Sequence, residues 1–365
     1  MLRLERFKNI MSDLVKLIHD TAPSKAIKLM EVCGTHTVSI FRHGIKALLP
    51  KQISLISGPG CPVCVTSVND IDAAIALSKM PEVILVTFGD MMHVPGSNRM
   101  SLHKARAYGA RSEVVYSPRD ALQIASDNSN SKVVFFATGF ETTSPLIAAT
   151  IEEAIERGVN NFYVYSAHKL VPPALRALLS SPDVKIDGFI LPGHVSAIIG
   201  KAPYEFIASE FTKPGVITGF NSDEILMGIY MLLVQIAAND AQIQIQYSKV
   251  VRPEGNPKAV SMIEKYFDVC DAYWRGIGAI PSSGLNLKEK YSHFDAKKIF
   301  QIDVKSDTAD STACMCGDVL RGIKTPPECA LFGKGCKPEN PVGACMVSAE
   351  GSCAAYYRYG GATVG

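Results

Sequence analysis

The sequence predicts an α/β protein in which two successive, doubly wound parallel-sheet domains precede a smaller, irregular, cysteine-rich domain. Over the first two-thirds of the 365 residues, short runs of Val, Ile, Leu and Phe alternate with amphipathic helical stretches. This alternation is typical of parallel strands covered by helices on both faces. After about Asn239 it fades, and six of the ten cysteines fall between Cys314 and Cys353. We therefore expect α/β domains at 25–118 and 119–235, and a third domain that combines 1–24 with 236–365.

Apolar runs and amphipathic periodicity predict the individual elements in chain order. Strands are expected at 27–32, 53–57, 83–88, 113–116, 133–137, 162–166, 188–191 and 215–218. Helices are expected at 3–20, 70–79, 119–125, 145–157, 172–179, 225–238 and 256–271. The first of these helices is assigned to the third domain, and Cys270, in the last, is interpreted as a core residue.

Composition excludes several classes of function. The formal net charge is +2, and no run of Lys and Arg is interleaved with aromatic residues, so binding to nucleic acid is not indicated. The most apolar stretch, 225–238, is too short to span a bilayer and is expected to form a buried helix. The first residues lack the apolar core of a signal peptide, so we expect a cytoplasmic protein whose thiols stay reduced.

Dense cysteines in a reducing compartment usually serve metal or redox chemistry. The tail lacks the paired Cys-x-x-Cys knuckles and nearby His that are typical of zinc sites, whereas a cubane iron–sulfur cluster needs four thiolates and tolerates varied spacing. Inert thiols are the remaining alternative. If four cysteines hold a cluster, two are left that could form a redox-active dithiol.

The loops that follow the predicted strands carry thiols, imidazoles and carboxylates. Because ligands bind beyond the carboxyl ends of strands in doubly wound sheets, we expect these side chains to gather at one edge. They are Cys33 and His36, Cys61 and Cys64, Asp90 and His93, Glu141, His168 and Lys169, and His194.

The motif Cys61-Pro62-Val63-Cys64 is the strongest local signal. Its spacing lets the two sulfurs form a disulfide or chelate one metal, and a helix starting near Asn69 would lower a thiol pKa. Two buried structural cysteines are the alternative. Cys33 and His36, three residues apart, suit a transition metal such as iron, although a buried cysteine at a strand end is common.

The remaining candidates have equally clear structural alternatives. Glu141, followed by two threonines, belongs either to a helix-capping device or to a polar ligand or proton-transfer group. His168 and His194 precede helical stretches, and a histidine in such a position usually braces its loop by a hydrogen bond to the backbone.

With these residues assembled, the chain resembles the HypD family of hydrogenase maturation proteins over nearly its whole length. The resemblance rests on the cysteine-rich tail and on four ordered motifs, which are Glu31-Val32-Cys33-Gly34-Thr35-His36, Gly58-Pro59-Gly60-Cys61-Pro62-Val63-Cys64, Thr138-Gly139-Phe140-Glu141-Thr142-Thr143 and Pro192-Gly193-His194-Val195-Ser196.

The resemblance implies a role in building the Fe(CN)2CO part of the nickel–iron hydrogenase active site. It implies that the chain holds the iron together with a small chaperone, HypC, and that HypE, carrying a thiocyanate, delivers cyanide to that complex. By this similarity Cys33 is the iron-holding thiolate, with His36 close by. Cys61 and Cys64 would form a dithiol that supplies electrons or also contacts the iron.

The resemblance also implies a [4Fe-4S] cluster in the tail, in an arrangement similar to ferredoxin–thioredoxin reductase. By that analogy the four cluster ligands are Cys314, Cys329, Cys336 and Cys353. Cys316 and Cys345 would then be the redox pair. The chain is expected to be monomeric alone and to act as a redox-active scaffold without a clear turnover reaction of its own.

Two other classes of protein fit part of the sequence. A free-standing iron–sulfur-dependent protein disulfide reductase accounts for Cys61, Cys64 and the tail, but it leaves Cys33 and His36 without a role. A structural scaffold with a zinc-bound tail is the third class. Iron and acid-labile sulfide in the purified protein would exclude zinc.

Overall fold

The computed structural model describes residues 2–302, 304 and 313–360, and within them two parallel sheets and an antiparallel hairpin. The first sheet has the order β2-β1-β7-β8-β9 and the second the order β4-β3-β5-β6. The strands are β1 Ile27–Glu31, β2 Ile53–Ser57, β3 Val83–Thr87, β4 Ser112–Val114, β5 Lys132–Ala137, β6 Phe162–Ser166, β7 Gly188–Pro192, β8 Gly215–Thr218 and β9 Ile243–Ile245, followed by the hairpin strands β10 Phe267–Trp274 and β11 Gly278–Leu287.

The α-helices alternate with the strands and cover both sheets. They are α1 Leu2–Thr21, α2 Gly34–Arg42, α3 Ile45–Leu48, α4 Pro62–Val65, α5 Val68–Ser78, α6 Leu102–Arg106, α7 Pro118–Asp127, α8 Ser144–Arg157, α9 Val171–Leu179, α10 Gly193–Ile199, α11 Glu205–Ser209, α12 Ser222–Ala238, α13 Pro257–Tyr266, α14 Ala296–Ile299, α15 Cys316–Leu320 and α16 Ser352–Tyr359.

The predicted α/β class with parallel sheets is confirmed, but the two sheets are interleaved along the chain and not successive. β1 pairs with both β2 and β7, so the first sheet joins the first two strands to the last three parallel ones. β3 pairs with both β4 and β5, so the boundary expected at 118/119 falls inside the second sheet. The alternation of strands and helices cannot reveal this order, because a parallel crossover connects strands at any sequence separation.

Successive residues of one strand point into two different cores, which is the mark of a doubly wound sheet. On β1, Leu29 packs with Leu14 and Ile18 of α1, whereas Met30 packs in the cluster on the opposite face. On β5, Val133 and Val134 divide in the same way between the two faces of the second sheet. Helix α1 therefore packs on the first sheet, and its assignment to the third domain is wrong.

Helix α12 shows how a cap extends a helix beyond the apolar run that predicts it. The helix begins at Ser222, before the predicted start at 225, because the Glu224 carboxylate accepts hydrogen bonds from the backbone N–H groups of Phe220 (3.0 Å) and Asn221 (3.1 Å). Its inner face is buried against the first sheet. No helix in the described part of the chain combines the length and the apolar character needed to cross a membrane.

The helix predicted at 256–271 ends early, at Tyr266, and the chain continues directly into β10. The segment from Phe267 to Trp274 is rich in aromatic and β-branched residues, and it pairs antiparallel with β11. Cys270 is therefore a half-buried strand residue and not a helical core residue.

The cysteine-rich segment 313–360 is irregular between its short helices, and it packs on the first sheet's helices. The Phe41 ring of α2 meets the Tyr356 ring of α16 edge to face at 4.3 Å, and the Lys46 ammonium donates to the Tyr356 hydroxyl at 2.7 Å. The tail therefore reaches back to the loops that follow β1 and β2.

Candidate functional site: a thiol cleft at the carboxyl edge of the first sheet

Cys33 lies at the point where the strand order of the first sheet reverses, between β1 and β7. Such a switch point is where doubly wound sheets bind ligands. Cys33 is the extended residue that precedes α2, and its thiol faces the backbone N–H groups of Thr35 and His36. Burial, together with the nearby Glu350 carboxylate, raises the pKa of this thiol to about 12. The metal-free site therefore holds a neutral thiol, which a bound cation would convert to thiolate.

Glu31, the last residue of β1, holds the Cys33 loop in place through two hydrogen bonds. Its carboxylate accepts hydrogen bonds from the Cys33 backbone N–H (3.1 Å) and from the Thr37 hydroxyl. Burial raises the pKa of Glu31 to about 7. The sequence motif contains Glu31, but its spacing gave no reason to assign it a role.

Glu350, from the tail, is the second carboxylate that sequence reasoning missed. Its Oε1 accepts a hydrogen bond from the Thr35 hydroxyl at 2.8 Å. The fit is close, because a Cβ atom added at Gly34 would lie 2.4 Å from the Glu350 Cβ. Glu350 also acts electrostatically on both His194 and the Cys33 thiol. No sequence pattern marks this residue, because only the fold brings it within reach.

His36 is fully buried in α2 and is held in one tautomer. Its Nε2 lies 3.0 Å from the Gly219 carbonyl oxygen and 2.9 Å from the Thr218 hydroxyl oxygen. Because a carbonyl oxygen can only accept, Nε2 carries the hydrogen. Nδ1 then holds a lone pair that has no hydrogen-bond partner among the described residues. Burial lowers the pKa of His36 to about 4, which keeps the ring neutral. A neutral imidazole with a free nitrogen can bind a metal or accept a proton.

Phe220 connects the two histidines of this region. Its ring stacks on His36 with centroids 4.6 Å apart and on His194 with centroids 4.0 Å apart. His194, at the start of α10, is exposed. His194 is thus connected to His36 through the Phe220 ring, which stacks on both imidazoles.

The loop that carries Cys61 and Cys64 lies directly against the Cys33 loop. The Gly34 N–H donates to the Gly60 carbonyl oxygen at 3.1 Å, and a Cβ atom added at Gly60 would lie 2.3 Å from the Cys33 nitrogen. Cys61 and Cys64 are buried and form a disulfide with Cα atoms 5.3 Å apart. The two loops that carry the thiol motifs are therefore in backbone contact, and we call the region around them the thiol cleft.

Glu141, in the loop after β5, contributes to the cleft from the second sheet. Its Oε1 accepts the Val171 N–H at 2.9 Å, so it caps α9 and not the helix that follows it in sequence. Its Oε2 has no partner among the residues that the structure describes, and burial raises the pKa of Glu141 to about 7. Burial raises the pKa of the Tyr204 hydroxyl, and the charges of Glu141 and Cys33 raise it further. The sequence did not indicate that Tyr204 interacts with both groups.

The six tail cysteines line one small cavity, with Phe332 and Met346 among its apolar walls. The Cys316 and Cys345 sulfurs are 2.7 Å apart, and the Cys336 sulfur accepts the Val342 N–H at 3.3 Å. Six thiols around one cavity, with no His in its described lining, provide a donor set that suits an iron–sulfur cluster. Within residues 2–302, 304 and 313–360, however, no three His, Cys, Asp or Glu side chains adopt a metal-holding geometry.

The environments of Cys316 and Cys345 differ. Hydrogen bonds from Cys314 and Cys345 lower the pKa of the Cys316 thiol, and the Arg275 guanidinium lowers it further. The same contact with Cys316, and one with Cys353, raise the pKa of Cys345. One sulfur of the pair therefore favours the thiolate and the other the thiol, which suits a nucleophile and its partner in disulfide exchange.

Helix α4 connects this cavity to the disulfide. It packs against the short 3-10 helix Ala344–Met346, and one buried cluster contains Cys61, Cys64, Cys316 and Cys345. The sulfurs of the two regions thus belong to one continuous core.

Two other groups from the strand-end pattern do not join the cleft. Asp90 and His93 lie on the short helix Gly89–His93, where His93 is exposed and its ring is 4.8 Å from that of His103. His168 and Lys169, after β6, face a separate cavity beside the β10–β11 hairpin.

We predict that Gly60→Ala destabilises the protein by about 3 kcal/mol, because the new Cβ would collide with backbone atoms of Val32 and Cys33. Gly60 does not have a positive φ, so the effect is steric. Gly89→Ala is the control, since its nearest atom is 3.6 Å away. Chemical unfolding of both variants measures the difference, and equal effects would contradict the backbone contact between the two loops.

The buried carboxyl of Glu141 predicts a pH-dependent stability. With a folded pKa of about 7 against an ordinary value of 4.5, this group stabilises the protein fully at acid pH and loses that contribution as pH rises from 4.5 to 7. Glu141→Gln does not titrate. Relative to this variant, the wild-type free energy of unfolding should fall by about 3 kcal/mol between pH 5 and pH 8. Glu156→Gln, at an exposed position of α8, is the control, and a pH-independent difference for Glu141→Gln would argue against a buried carboxylic acid.

Comparison with known proteins shows to which family the chain belongs. The HypD family model, described as "Hydrogenase formation hypA family", matches residues 9–360. The chain is 47% identical over 364 residues to the hydrogenase maturation factor HypD2 of Bradyrhizobium diazoefficiens, an alignment that covers 97% of this chain and 95% of the relative. It is 46% identical over 336 residues to the hydrogenase maturation factor HypD of Escherichia coli, with 92% and 90% covered. The chain therefore belongs to the HypD family of hydrogenase maturation factors.

Proposed function

We propose that this maturation factor is the scaffold on which the Fe(CN)2CO unit of a nickel–iron hydrogenase is assembled in the cytoplasm. The observation that carries the proposal is the backbone contact between the Cys33 loop and the Cys61–Cys64 loop, at the switch point of the first sheet. Membership of the family supports HypC as the partner that shares the iron and HypE as the donor of cyanide.

The ferrous ion is the substrate of this site. The Cys33 thiol binds it and loses its proton on binding, and the backbone contact between the two loops supports the reduced thiols of Cys61 and Cys64 as further sulfur donors. His36 Nδ1 has the free lone pair that a borderline metal accepts. Soft thiolate ligands keep iron electron-rich, which favours the attachment of cyanide and CO.

The tail supplies electrons to this cleft. Cys314, Cys329, Cys336 and Cys353 would hold a [4Fe-4S] cluster, which when bound exchanges single electrons. The contact between the Cys316 and Cys345 sulfurs supports their assignment as the separate dithiol. By thiol–disulfide exchange, this dithiol gives two electrons and two protons to the Cys61–Cys64 disulfide, so that one disulfide forms as the other is reduced.

Glu141 supplies or receives protons in the same cleft. Its raised pKa means that a proton moves on and off near neutral pH, and its unpartnered Oε2 is available for that exchange. Both this carboxyl and the Cys33 thiol act electrostatically on the buried Tyr204 hydroxyl. Glu141 is therefore the titratable carboxyl that we assign to proton exchange in this region.

The burial of the cysteines argues against a free-standing disulfide reductase and against a zinc-bound structural scaffold. A free-standing disulfide reductase must present its disulfide to another protein, yet Cys61 is 4% exposed and Cys64 is fully buried. A zinc-bound structural tail gives no reason for Cys316 and Cys345 to be buried in one core with the Cys61–Cys64 disulfide. The scaffold uses both features, since electrons travel inward to a shielded iron.

Cys33→Ala should abolish iron retention in the complex with HypC while the visible absorption of the cluster stays intact. The substitution removes the proposed iron ligand but touches none of the tail cysteines. Infrared spectroscopy of the complex measures the result, because iron-bound cyanide and CO absorb where proteins do not. Cys270→Ala, at a half-buried cysteine on β10, is the control. Loss of iron and cluster together in Cys33→Ala would show that the two sites are not separate.

The division of the tail cysteines predicts two kinds of variant. Cys316→Ser and Cys345→Ser should keep the cluster's iron and acid-labile sulfide but leave Cys61–Cys64 oxidised after dithionite is added. Cys329→Ser and Cys336→Ser should instead lose the cluster. Iron analysis and mass spectrometry of alkylated Cys61 and Cys64 measure both effects. A cluster lost in Cys316→Ser, or retained in Cys336→Ser, contradicts the division.

A further inference from the structure

The turn that joins β10 to β11 contacts both the helix that contains Cys64 and the helix that begins at Cys316. It runs from the fully buried Trp274 to Gly278, and we call it the hairpin turn. Neither the sequence motifs nor the proposed assembly of iron assigns a role to it. Its contacts with the two helices are made by backbone atoms, and they single out one cysteine on each side.

On one side, the hairpin turn pairs with the end of α4. Thr66 and Trp274 form an antiparallel β-bridge, and the Arg275 backbone N–H donates to the Val65 carbonyl oxygen at 2.9 Å. Val65 directly follows Cys64 in the chain. The hairpin turn therefore fixes the backbone next to Cys64.

On the other side, the hairpin turn meets the start of α15 through a pair of glycines. A Cβ atom added at Gly276 would lie 2.7 Å from the Gly317 Cα atom, and one added at Gly317 would collide with the Gly276 carbonyl oxygen. Gly276 also has a φ of +74°, which other residues rarely adopt. Gly317 directly follows Cys316 in the chain. The two backbones thus touch at a place where no side chain fits.

Two buried side chains hold the hairpin turn in place. The Trp274 indole N–H donates to the Ser283 hydroxyl at 2.8 Å, and the Arg275 guanidinium donates to the Pro95 carbonyl oxygen at 2.8 Å. A buried donor that loses its acceptor costs free energy, so both bonds resist movement of the turn. The hairpin turn is therefore a fixed support for α4 and α15 together.

We propose that the hairpin turn positions Cys64 and Cys316 for thiol–disulfide exchange, with Arg275 and Gly276 as its positioning residues. The inference rests on the proposed transfer of electrons from the tail pair to the Cys61–Cys64 disulfide. Consecutive residues of the turn hold the residue after Cys64 and the residue after Cys316, and both cysteines belong to one buried core with Trp274. The mixed disulfide of the exchange is then Cys64–Cys316.

The exchange balances in two steps. Cys316, after losing its proton, attacks the Cys64 sulfur, the Cys61–Cys64 bond breaks, and Cys61 leaves as a thiolate that takes up a proton. Cys61 suits the leaving group, because its sulfur accepts the Cys64 backbone N–H at 3.2 Å, a bond that stabilises a thiolate. Cys345, whose sulfur lies 2.7 Å from that of Cys316, then loses its proton and attacks the Cys316 sulfur. Cys64 leaves and is protonated, so two electrons and two protons have passed from the tail pair.

Two pairs of cysteines in the full-length, anaerobically purified protein test which sulfurs meet. Cys61→Ser combined with Cys345→Ser leaves Cys64 and Cys316. Cys64→Ser combined with Cys345→Ser leaves Cys61 and Cys316, and it is the matched control. Each protein is treated with oxidised glutathione, and mass spectrometry follows the disulfide-linked peptides. We expect the Cys64–Cys316 link to form about tenfold faster than the Cys61–Cys316 link.

Gly276→Ala tests the role of the hairpin turn. The new Cβ would displace the Gly317 backbone, so formation of the Cys64–Cys316 link should slow by about tenfold. Gly278→Ala is the matched control, because Gly278 has a φ of +107° in the same turn, yet no described residue would come within 4 Å of its Cβ. Both variants bear the cost of a positive φ, so their difference reports the contact with Gly317. If Gly276→Ala does not fold, the two cysteine pairs test the proposal by themselves.

Reduction of the Cys61–Cys64 disulfide separates positioning from a general loosening of the fold. With the native cysteines, dithionite should reduce this disulfide about tenfold more slowly in Gly276→Ala than in Gly278→Ala. In a Cys316→Ser background, where the tail pair cannot act, a water-soluble phosphine reduces the disulfide directly. The phosphine rates of the two glycine variants should then be equal, since direct reduction depends on exposure and not on the position of Cys316.

The outcomes that overturn this inference differ from those that overturn the proposed function. Equal cross-linking of the two cysteine pairs, or none in either, would contradict Cys64–Cys316 as the mixed disulfide. Equal dithionite rates in Gly276→Ala and Gly278→Ala would remove the role of the hairpin turn. Dithionite reduction of Cys61–Cys64 that persists in Cys316→Ser would instead show that electrons bypass the tail pair, which contradicts the proposed electron route itself.

Discussion

The close backbone contact between two glycine-containing loops is the constraint on which the site depends. β1 and β2 are neighbours in register, so the chain leaves both strands at the same edge of the sheet. The Gly34 N–H then bonds to the Gly60 carbonyl oxygen, and no side chain could fit at Gly60 beside the Cys33 nitrogen. This contact, and not proximity in sequence, holds the Cys33 loop against the loop of Cys61 and Cys64. Gly60 is therefore as necessary to the thiol cleft as Cys61 and Cys64 are.

Burial without charge compensation gives the cleft its chemical character. Desolvation raises the pKa values of Glu31 and Glu141 to about 7 and that of Cys33 to about 12, and it lowers that of His36 to about 4. Every one of these shifts favours the neutral form. A cation that enters such a site favours deprotonation of the thiol, because its charge offsets the cost of burying the thiolate that binds it. Without a bound cation, the protein thereby avoids unpaired buried charges in this region.

The sequence predicted those features that depend on local pattern. The parallel strands, the helix α12 and the positions of Cys33 and Cys61 at strand ends could all be inferred from runs of apolar residues. Strand order, the β10–β11 hairpin and the position of Glu350 beside Thr35 could not, because each is set by packing between segments far apart in the chain. The error over Cys270 has the same origin: a short mixed segment has no period that separates the end of a helix from a strand.

The tail does more than enclose its own cavity, because one short stretch of it contacts both thiol motifs. Ala344–Met346 packs against α4, next to the disulfide, and Glu350 bonds to the Cys33 loop. Gly351 lies so close to Cys345 that a Cβ atom there would be 2.2 Å from the Cys345 carbonyl oxygen. Cys345 and Glu350 therefore belong to one tightly packed stretch of the chain. Burial and the Glu350 carboxylate together raise the pKa of the Cys33 thiol. One segment of the tail thus holds a member of the proposed redox pair and also sets the electrostatic environment of the thiol that we propose binds iron.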